Sequence, residues 1–532
     1  MRVPLLYKAG ILRDGTPFQD DYCIDGQWIR FVGGKIKKMK GQQQLIVAPN
    51  DIELPANAIY MSVVSNGNST YLYYATSRAV YQMTLDLKTY VLANNIRILN
   101  KPSNVQAPYI TWSSTLVIDK TETYIVFLRT YNSQNMLATT AGELYIKRLD
   151  DSNLQQVIIG NIANNIASGG MLYSSPFLFL YGNSGTLIWG KSKDPFVFDT
   201  DGTLTNSLSI SADKLIFGAA VRGGSNAPSL LFWTANSVIY LTNVATGDTE
   251  ISFQKEVVTN NSSLMSSRAV VQYDSLFFWL GTDRIFVYNG IVDSIPNTIN
   301  LEYFFDNVDL NKRQKIFGYK IARYGEVRWA YPEKTFANDP AIGCTRELVY
   351  NVRENSWYDT AIQRDCVTIY EGTGDIFSYG ETCVNYPYAA TVFKAIWKHE
   401  IGSTEIRGNV NHNIPSFFTT PYYGFVTFNP AKTGGALDKY IVLDQIEPDF
   451  PTNTPRSDAD EVIITVTYKK YASYNLVSTA PVIFKLADLP LQPNLGKIDF
   501  RVQGRFISIK FSCAYPYDVG TILLNFKEGD NQ

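Results

Sequence analysis

Residues 269–290, AVVQYDSLFFWLGTDRIFVYNG, contain the pattern that most restricts the fold of this chain. Alternating Ala269, Val271 and Tyr273 lead into a polar turn at Asp274 and Ser275, and an apolar run from Leu276 to Leu280 follows. Gly281, Thr282 and Asp283 then turn the chain into Ile285–Tyr288, which Asn289 and Gly290 close. Strand-length aromatic and β-branched runs broken by turn residues predict an antiparallel meander, because no helical spacing of apolar residues survives long enough to compete. An FFWL run calls for burial on both faces, which an isolated meander cannot supply.

The same phrase recurs from Met61, Ile110, Met171, Ile216, Ile316 and Cys366. A spacing of roughly 45 to 60 residues is that of a propeller blade and not of an α-solenoid. The expected fold is therefore all-β: a β-propeller of about six to eight blades across residues 51–384, with seven as the count. Pro108, Pro228 and Pro296 fall between strands, where proline belongs, and 302–316 is the one stretch with a helical turn. After Tyr386 the strands lengthen and the blade phrasing stops, so residues 385–532 are expected to form a β-sandwich-like platform domain. Its loop 447–460 is an exposed excursion, fit either for a partner or simply tolerated. Residues 1–50 are an N-terminal arm and hairpin assigned to that platform.

The chain has 35 Tyr and 29 Phe among 532 residues, and charged residues are only 18% against a typical quarter. Aromatic residues in excess of what a core absorbs are those that large protein interfaces prefer, which implies an obligate oligomer. Lys plus Arg number 47 and Asp plus Glu 49, so the strongly basic balance of a nucleic-acid-gripping protein is missing. The 5 cysteines include no C-x-x-C pair, which fits neither a disulfide framework nor a zinc site and suits a reducing compartment. The start lacks the apolar core of a secretory signal, and no apolar run approaches membrane-spanning length, so neither secretion nor a membrane span is expected.

The first 50 residues hold a second motif. A strand from Gln27 to Val32, a Gly33-Gly34 turn and a strand from Lys35 to Lys40 make a hairpin. Lys35, Lys37, Lys38 and Lys40 surround Ile36 and Met39 there. Two readings fit: a basic edge facing phosphate, or an edge strand whose lysines discourage pairing with another chain.

The phrase GILRDGTPFQDDYCIDGQWIRFVGGKIKKMKG resembles the opening of a family of tail proteins from short-tailed, podovirus-type bacteriophages. RYGEVRWAYPE with ELVYNVRENSWYD, within 323–359, and GRFISIKFSC at 504–513 carry the same likeness. The terminal AYPYDVGTILLNF departs from the family, which has a Trp-containing strand there. The resemblance implies a hub or nozzle built of a β-propeller and a β-rich platform, set as a hexameric ring below the portal and adaptor. Tail fibres or a distal tail protein would attach to it, and DNA would pass through its channel without specific binding. It further implies a virion location after assembly in the host cytoplasm, with no cofactor and no catalytic motif. Lys35, Lys37, Lys38 and Lys40 are then the expected basic edge near the channel or a neighbouring ring, anchored by Trp28, Arg30 and Phe31.

Little else points to chemistry. His399 and His412 have no nucleophile motif beside them, and no H-E-x-x-H or EF-hand loop occurs. Paired carboxylates at a propeller centre would permit glycan cleavage, and Asp119, Asp194, Asp274, Asp283, Glu326 and Glu354 all lie at strand ends. Most occupy turn positions that Asp and Asn favour for local hydrogen bonding. A glycan-binding, lectin-like propeller is the better alternative to the hub, and a glycan-cleaving one the weaker.

Overall fold

The computed structural model describes residues 2–16, 21–47, 58–100, 109–132, 142–191, 194–200, 203–204, 206–221, 229–244, 252–337, 343–382, 394–424, 439–451, 460–471, 475–485 and 496–529. The chain is almost wholly β, and its dominant motif is the antiparallel meander.

The first sheet consists of Tyr60–Ser65, Thr70–Ala75, Ala79–Leu85 and Val91–Asn100, with Ile46–Val47 added in parallel to the last. The second is Tyr109–Asp119, Glu122–Asn132, Glu143–Arg148 and Gln155–Val157. The third runs Gly170–Ser174, Phe177–Tyr181, Thr186–Trp189 and Ser207–Ser209, and the fourth Phe217–Val221, Ser229–Trp233, Val238–Asn243 and Phe253–Thr259. The fifth is the opening motif itself: Val270–Tyr273, Leu276–Leu280, Ile285–Tyr288 and Val292–Ser294. Its tight first turn is possible because Asp274 takes a left-handed φ of 54°, which a short polar side chain tolerates better than a bulky one.

A nine-stranded sheet follows, and the 15-residue strand Ser356–Tyr370 divides it. The first part of that strand pairs with Cys344–Asn351, which continues to Glu326–Tyr331 and Phe317–Ile321; this is the sixth sheet. A register shift between Arg364 and Cys366 turns the rest of the strand towards Asp375–Glu381, then Lys394–His399 and Gln42–Gln44 from the N-terminal region; this is the seventh, which Thr404–Arg407 and Val410–Asn413 extend beyond Gln42–Gln44.

Packing explains why these sheets coexist. The first and second share a core of Tyr73, Val80, Trp112, Phe127 and Tyr145, and the second and third one of Val126, Leu128, Leu178 and Leu180. Tyr181 meets Phe232 between third and fourth, and Trp233 meets Trp279 between fourth and fifth. Phe278, Trp329 and Trp357 join fifth to sixth, and Phe317, Tyr319 and Ile376 join sixth to seventh. Leu72, Tyr74, Phe377 and Ile396 join the seventh back to the first. Every sheet buries both faces, as the FFWL run demanded.

Apart from three two-stranded pairs, Lys8–Ile11 with Tyr22–Cys23, Ile29–Val32 with Lys35–Lys38 and Asp199–Thr200 with Thr203–Leu204, the remaining described strands form two further sheets. One orders Asp25–Gln27, Ser416–Thr419, Phe506–Cys513, Glu461–Lys469 and Val477–Ser478, with Val482–Lys485 also on Glu461–Lys469. The other orders Arg2–Pro4, Leu523–Glu528, Ile441–Glu447 and Ile498–Gly504. Their common core takes in Ile29, Phe31 and Ile36 from the hairpin and Val349, Tyr358 and Ile362 from the sixth sheet.

The helical stretch expected at 302–316 is a helix, Leu301–Asn307, followed by a 3-10 turn, Leu310–Lys315. A second short helix, Asn161–Ile166, has no periodicity that would have announced it. Pro108 and Pro228 and most of the loop 447–460 lie outside the described residues.

Candidate functional site

The N-terminal hairpin pairs Ile29–Val32 with Lys35–Lys38 through a turn in which Gly33 and Gly34 both have positive φ, 60° and 71°. Two consecutive left-handed residues strain any side chain, so the pair is glycine. The amides of Gly33 and Gly34 donate to Glu354, at 2.8 and 3.2 Å, which fastens the tip to the turn beyond Asn351.

The lysines of this hairpin do not form one solvent-facing basic edge. Lys35 is exposed, but Lys37 Nζ lies 2.7 Å from Asp518 and Lys38 is buried, donating to the Ala514 carbonyl. Lys40 is partly exposed. The cause is a cover over the hairpin's edge: Lys38 N donates to Tyr517 O and Val519 N to Ile36 O. Burial pushes the Lys38 amine down to about 8, only partly opposed by Cys513. The edge is protected by pairing, and the lysines serve different ends. Trp28 and Phe31 are buried, and Trp28 has a positive φ of 57°.

Arg30 is the centre of the site. Strand alternation turns it away from Ile29 and Phe31, onto the sixth sheet, where it is buried. Its Nε is 3.1 Å from Glu326, its two terminal nitrogens donate to both oxygens of Glu400 at 2.9 and 2.6 Å, and its plane lies 3.8 Å from the Tyr324 ring centroid. Arg328 donates to Glu326 at 2.9 and 2.7 Å and to Glu347 at 2.9 Å, while Tyr358 and Tyr319 donate to the same two carboxylates at 2.8 and 2.7 Å. Burial alone would push the Glu326 carboxyl up, but Arg30 and Arg328 outweigh it and hold it below the ordinary carboxylate value. Burial, and then the charge of Glu326, pushes the Tyr358 hydroxyl well up, so it stays a donor.

A second network lies on the other face of the same strand, since Asp359 follows Tyr358. Arg13 reaches Asp359 at 3.0 and 3.2 Å and Asp25 at 2.6 Å, and Arg346 joins Asp359, at 2.5 Å, to Glu333, at 2.8 Å. Burial opposes ionisation of Asp359, and the two arginines again prevail and lower it. Gln27 completes the attachment by exchanging hydrogen bonds with the backbone of Ala361, at 2.7 and 2.9 Å.

These groups are committed to one another, and Glu326, Glu347 and Asp359 are buried, so the networks can hold parts of the chain together. His399 Nε2 sits 2.5 Å from Ser378 Oγ, yet Ser378 is fully buried and unable to meet a substrate as a nucleophile. Burial, with Arg364 and Arg328 nearby, keeps the imidazole well below its usual value and neutral. His412 lies in the hairpin Thr404–Asn413, opposite Glu405. The six strand-end carboxylates are not gathered in one cleft: Asp274 and Asp283 belong to turns of the fifth sheet, Glu354 caps the hairpin and Glu326 is locked to arginine. The charges of Glu326 and Arg328 do share a face, as the alternation in GEVRWAY requires; Arg13, Glu347 and Asp359 lie within the resembling phrases without having been singled out, and Glu400 lies outside them.

Next to the Arg30 network opens a cleft of about 520 Å³. Its walls are the turn from Lys320 to Tyr324, the hairpin tip from Glu371 to Asp375, and the strand end from Lys398 to Ile401. Among the described residues no group of three or more His, Cys, Asp and Glu is arranged to hold a metal, and no helix is long and apolar enough to cross a membrane.

No family model matches the chain, and no curated protein matches it. Among solved structures, one of a candidate 6-phosphogluconolactonase from Bacteroides uniformis is similar at a TM-score of 0.32 and 9% identity, covering 60% of this chain and 91% of that one. A likeness of that size carries no argument about fold or activity.

Proposed function

We propose that the seven meander sheets are the blades of a closed β-propeller, and that the chain is a hub or nozzle subunit of a short-tailed phage tail. The observation that carries this reading is a convergence. The three phrases that resemble the tail family, far apart in sequence, meet in one junction: Arg30 binds Glu326, Phe31 packs on Tyr358 with ring centroids 5.5 Å apart, and Ile507, Ile509 and Phe511 lie in the same core. Residues that share a likeness because they share a structural task are expected to be neighbours.

Two features support closure of the propeller. The hydrophobic clusters form an unbroken cycle from the first sheet to the seventh and back. Arg268, at the start of the fifth sheet, donates to Ile59 O beside the first at 2.8 Å and reaches Lys315 O beside the sixth at 3.3 Å. A side chain that reaches from the fifth sheet to residues beside the first and the sixth supports inner strands that converge on an axis. Gln42–Gln44, from the N-terminal region, is the fourth strand of the seventh sheet, next to Lys394–His399.

In this reading the two further sheets and the hairpin are the platform, copies of the chain join as a hexameric ring, and the ring sits below the adaptor and portal with fibres or a distal protein attached. The lumen lets DNA pass without specific binding, in keeping with a formal net charge of −2. Rigidity comes from the arginine networks, and the function is steric and interfacial. Immunogold labelling of intact particles with an antibody against the chain tests it. Label at the tail vertex is expected, and label confined to the host cell or the capsid wall would overturn the reading.

A further inference from the structure

We propose that the cleft beside the Arg30 network binds a carboxylated sugar, such as a uronic or sialic acid. This inference does not depend on the tail assignment. A volume of about 520 Å³ lies within the range of about 300–1,000 Å³ usual for small-molecule sites.

The charges on the walls cancel in pairs except for one. Lys320 faces Glu371 at 3.6 Å, Lys398 pairs with Asp375 at 3.1 Å, and Glu400 is claimed by Arg30 at 2.6 Å. Arg323 is left over. It is exposed, its guanidinium lies 5.5 Å from the Tyr324 ring centroid, and it forms no ion pair among the described residues. A guanidinium in that position offers the planar fork that a carboxylate takes with two parallel hydrogen bonds.

The rest of the lining selects for hydroxyls. Glu371 is open to solvent and is a ready acceptor, and Asp375 already accepts from Thr373 at 2.6 Å. Ile369 and Ile376 provide an apolar wall for the C–H face of a ring. A pyranose acid supplies all three complements: a carboxylate, hydroxyl donors and an apolar face. An acidic peptide supplies the carboxylate but few hydroxyl donors. It would also have to bend into a bowl walled by a turn, a hairpin tip and a strand end.

Saturation-transfer-difference NMR of the full chain with D-glucuronic acid and N-acetylneuraminic acid, against D-glucose, tests the proposal. Saturation of the two acids and little of glucose is expected. Arg323→Ala is expected to weaken the acids about tenfold or more, since the charge-assisted pair is lost, while its melting temperature stays at that of the parent because the side chain is exposed. Glu371→Gln is a second variant expected to weaken both acids severalfold, because the carboxylate that accepts from ring hydroxyls is lost. Equal saturation of glucose, acid binding unaffected by Arg323→Ala, no acid binding at millimolar concentration, or tighter binding of a glutamate-rich peptide would each overturn it.

Discussion

Arg30 and Lys37 face each other across the same hairpin, yet their substitution is expected to have very different consequences. Replacing Arg30 by Met leaves Glu326 and Glu400 short of a buried partner, and breaking a buried pair in this way costs about 3–5 kcal/mol. Lys37→Ala removes a half-exposed pair with Asp518, worth about 0–1 kcal/mol. Urea denaturation of both variants measures the difference. Acid titration follows from the same residues. Glu326 and Asp359 are held below their ordinary values of 4.5 and 3.8, so the unfolded chain takes up protons first as pH falls. Their contribution is complete above those values and is lost as pH falls through the folded ones. Lys38 gives a slope of the same sign at higher pH, where it relieves a penalty instead of adding a gain. Its amine is lowered to about 8 from 10.5, so between those values only the unfolded chain is charged, and stability gains as pH rises through the window. Melting temperatures across pH should show an acid loss that shrinks in Arg30→Met and an alkaline gain that disappears in Lys38→Met.

The segment that links the seventh sheet to the first is the element on which the proposed closure depends. Gln42–Gln44 pairs with Lys394–His399, and two residues later Ile46–Val47 pairs with Val91–Asn100. The preceding Gly41 sits against the backbone of Thr404 so closely that an added Cβ would lie 1.9 Å from its carbonyl oxygen. Gly41→Ala is expected to displace this clasp and destabilise the chain by about 1–3 kcal/mol, the range for overpacking. Faster hydrogen exchange in residues 394–399 and 91–92 would locate the damage. This element also marks what a sequence reading can see. The meanders were legible because period-two alternation and turn residues are local signals, and the Phe277–Leu280 run announced two-sided burial. The clasp was not, because three glutamines have no strand pattern of their own and take their conformation from partners more than 350 residues away. The hairpin and its Gly-Gly turn were readable from spacing. That Lys38 would be buried was not, since the segment covering it comes from residues 514–519.

At the scale of the whole molecule, the proposed hub is a rigid disc tied to a platform by charged networks on both faces of one long strand. Fifteen residues of Ser356–Tyr370 take part in the sixth sheet, the seventh sheet and both arginine networks, so the propeller and the platform are expected to move together. The proposal gives the aromatic-rich, weakly charged composition a role between copies, where apolar and aromatic contacts favour closed symmetric rings. Native mass spectrometry of the purified chain, with negative-stain images of the same sample, tests this most directly. The account predicts a ring of about six 59.8 kDa subunits around a central opening. A single 59.8 kDa species that persists at high protein concentration would contradict it.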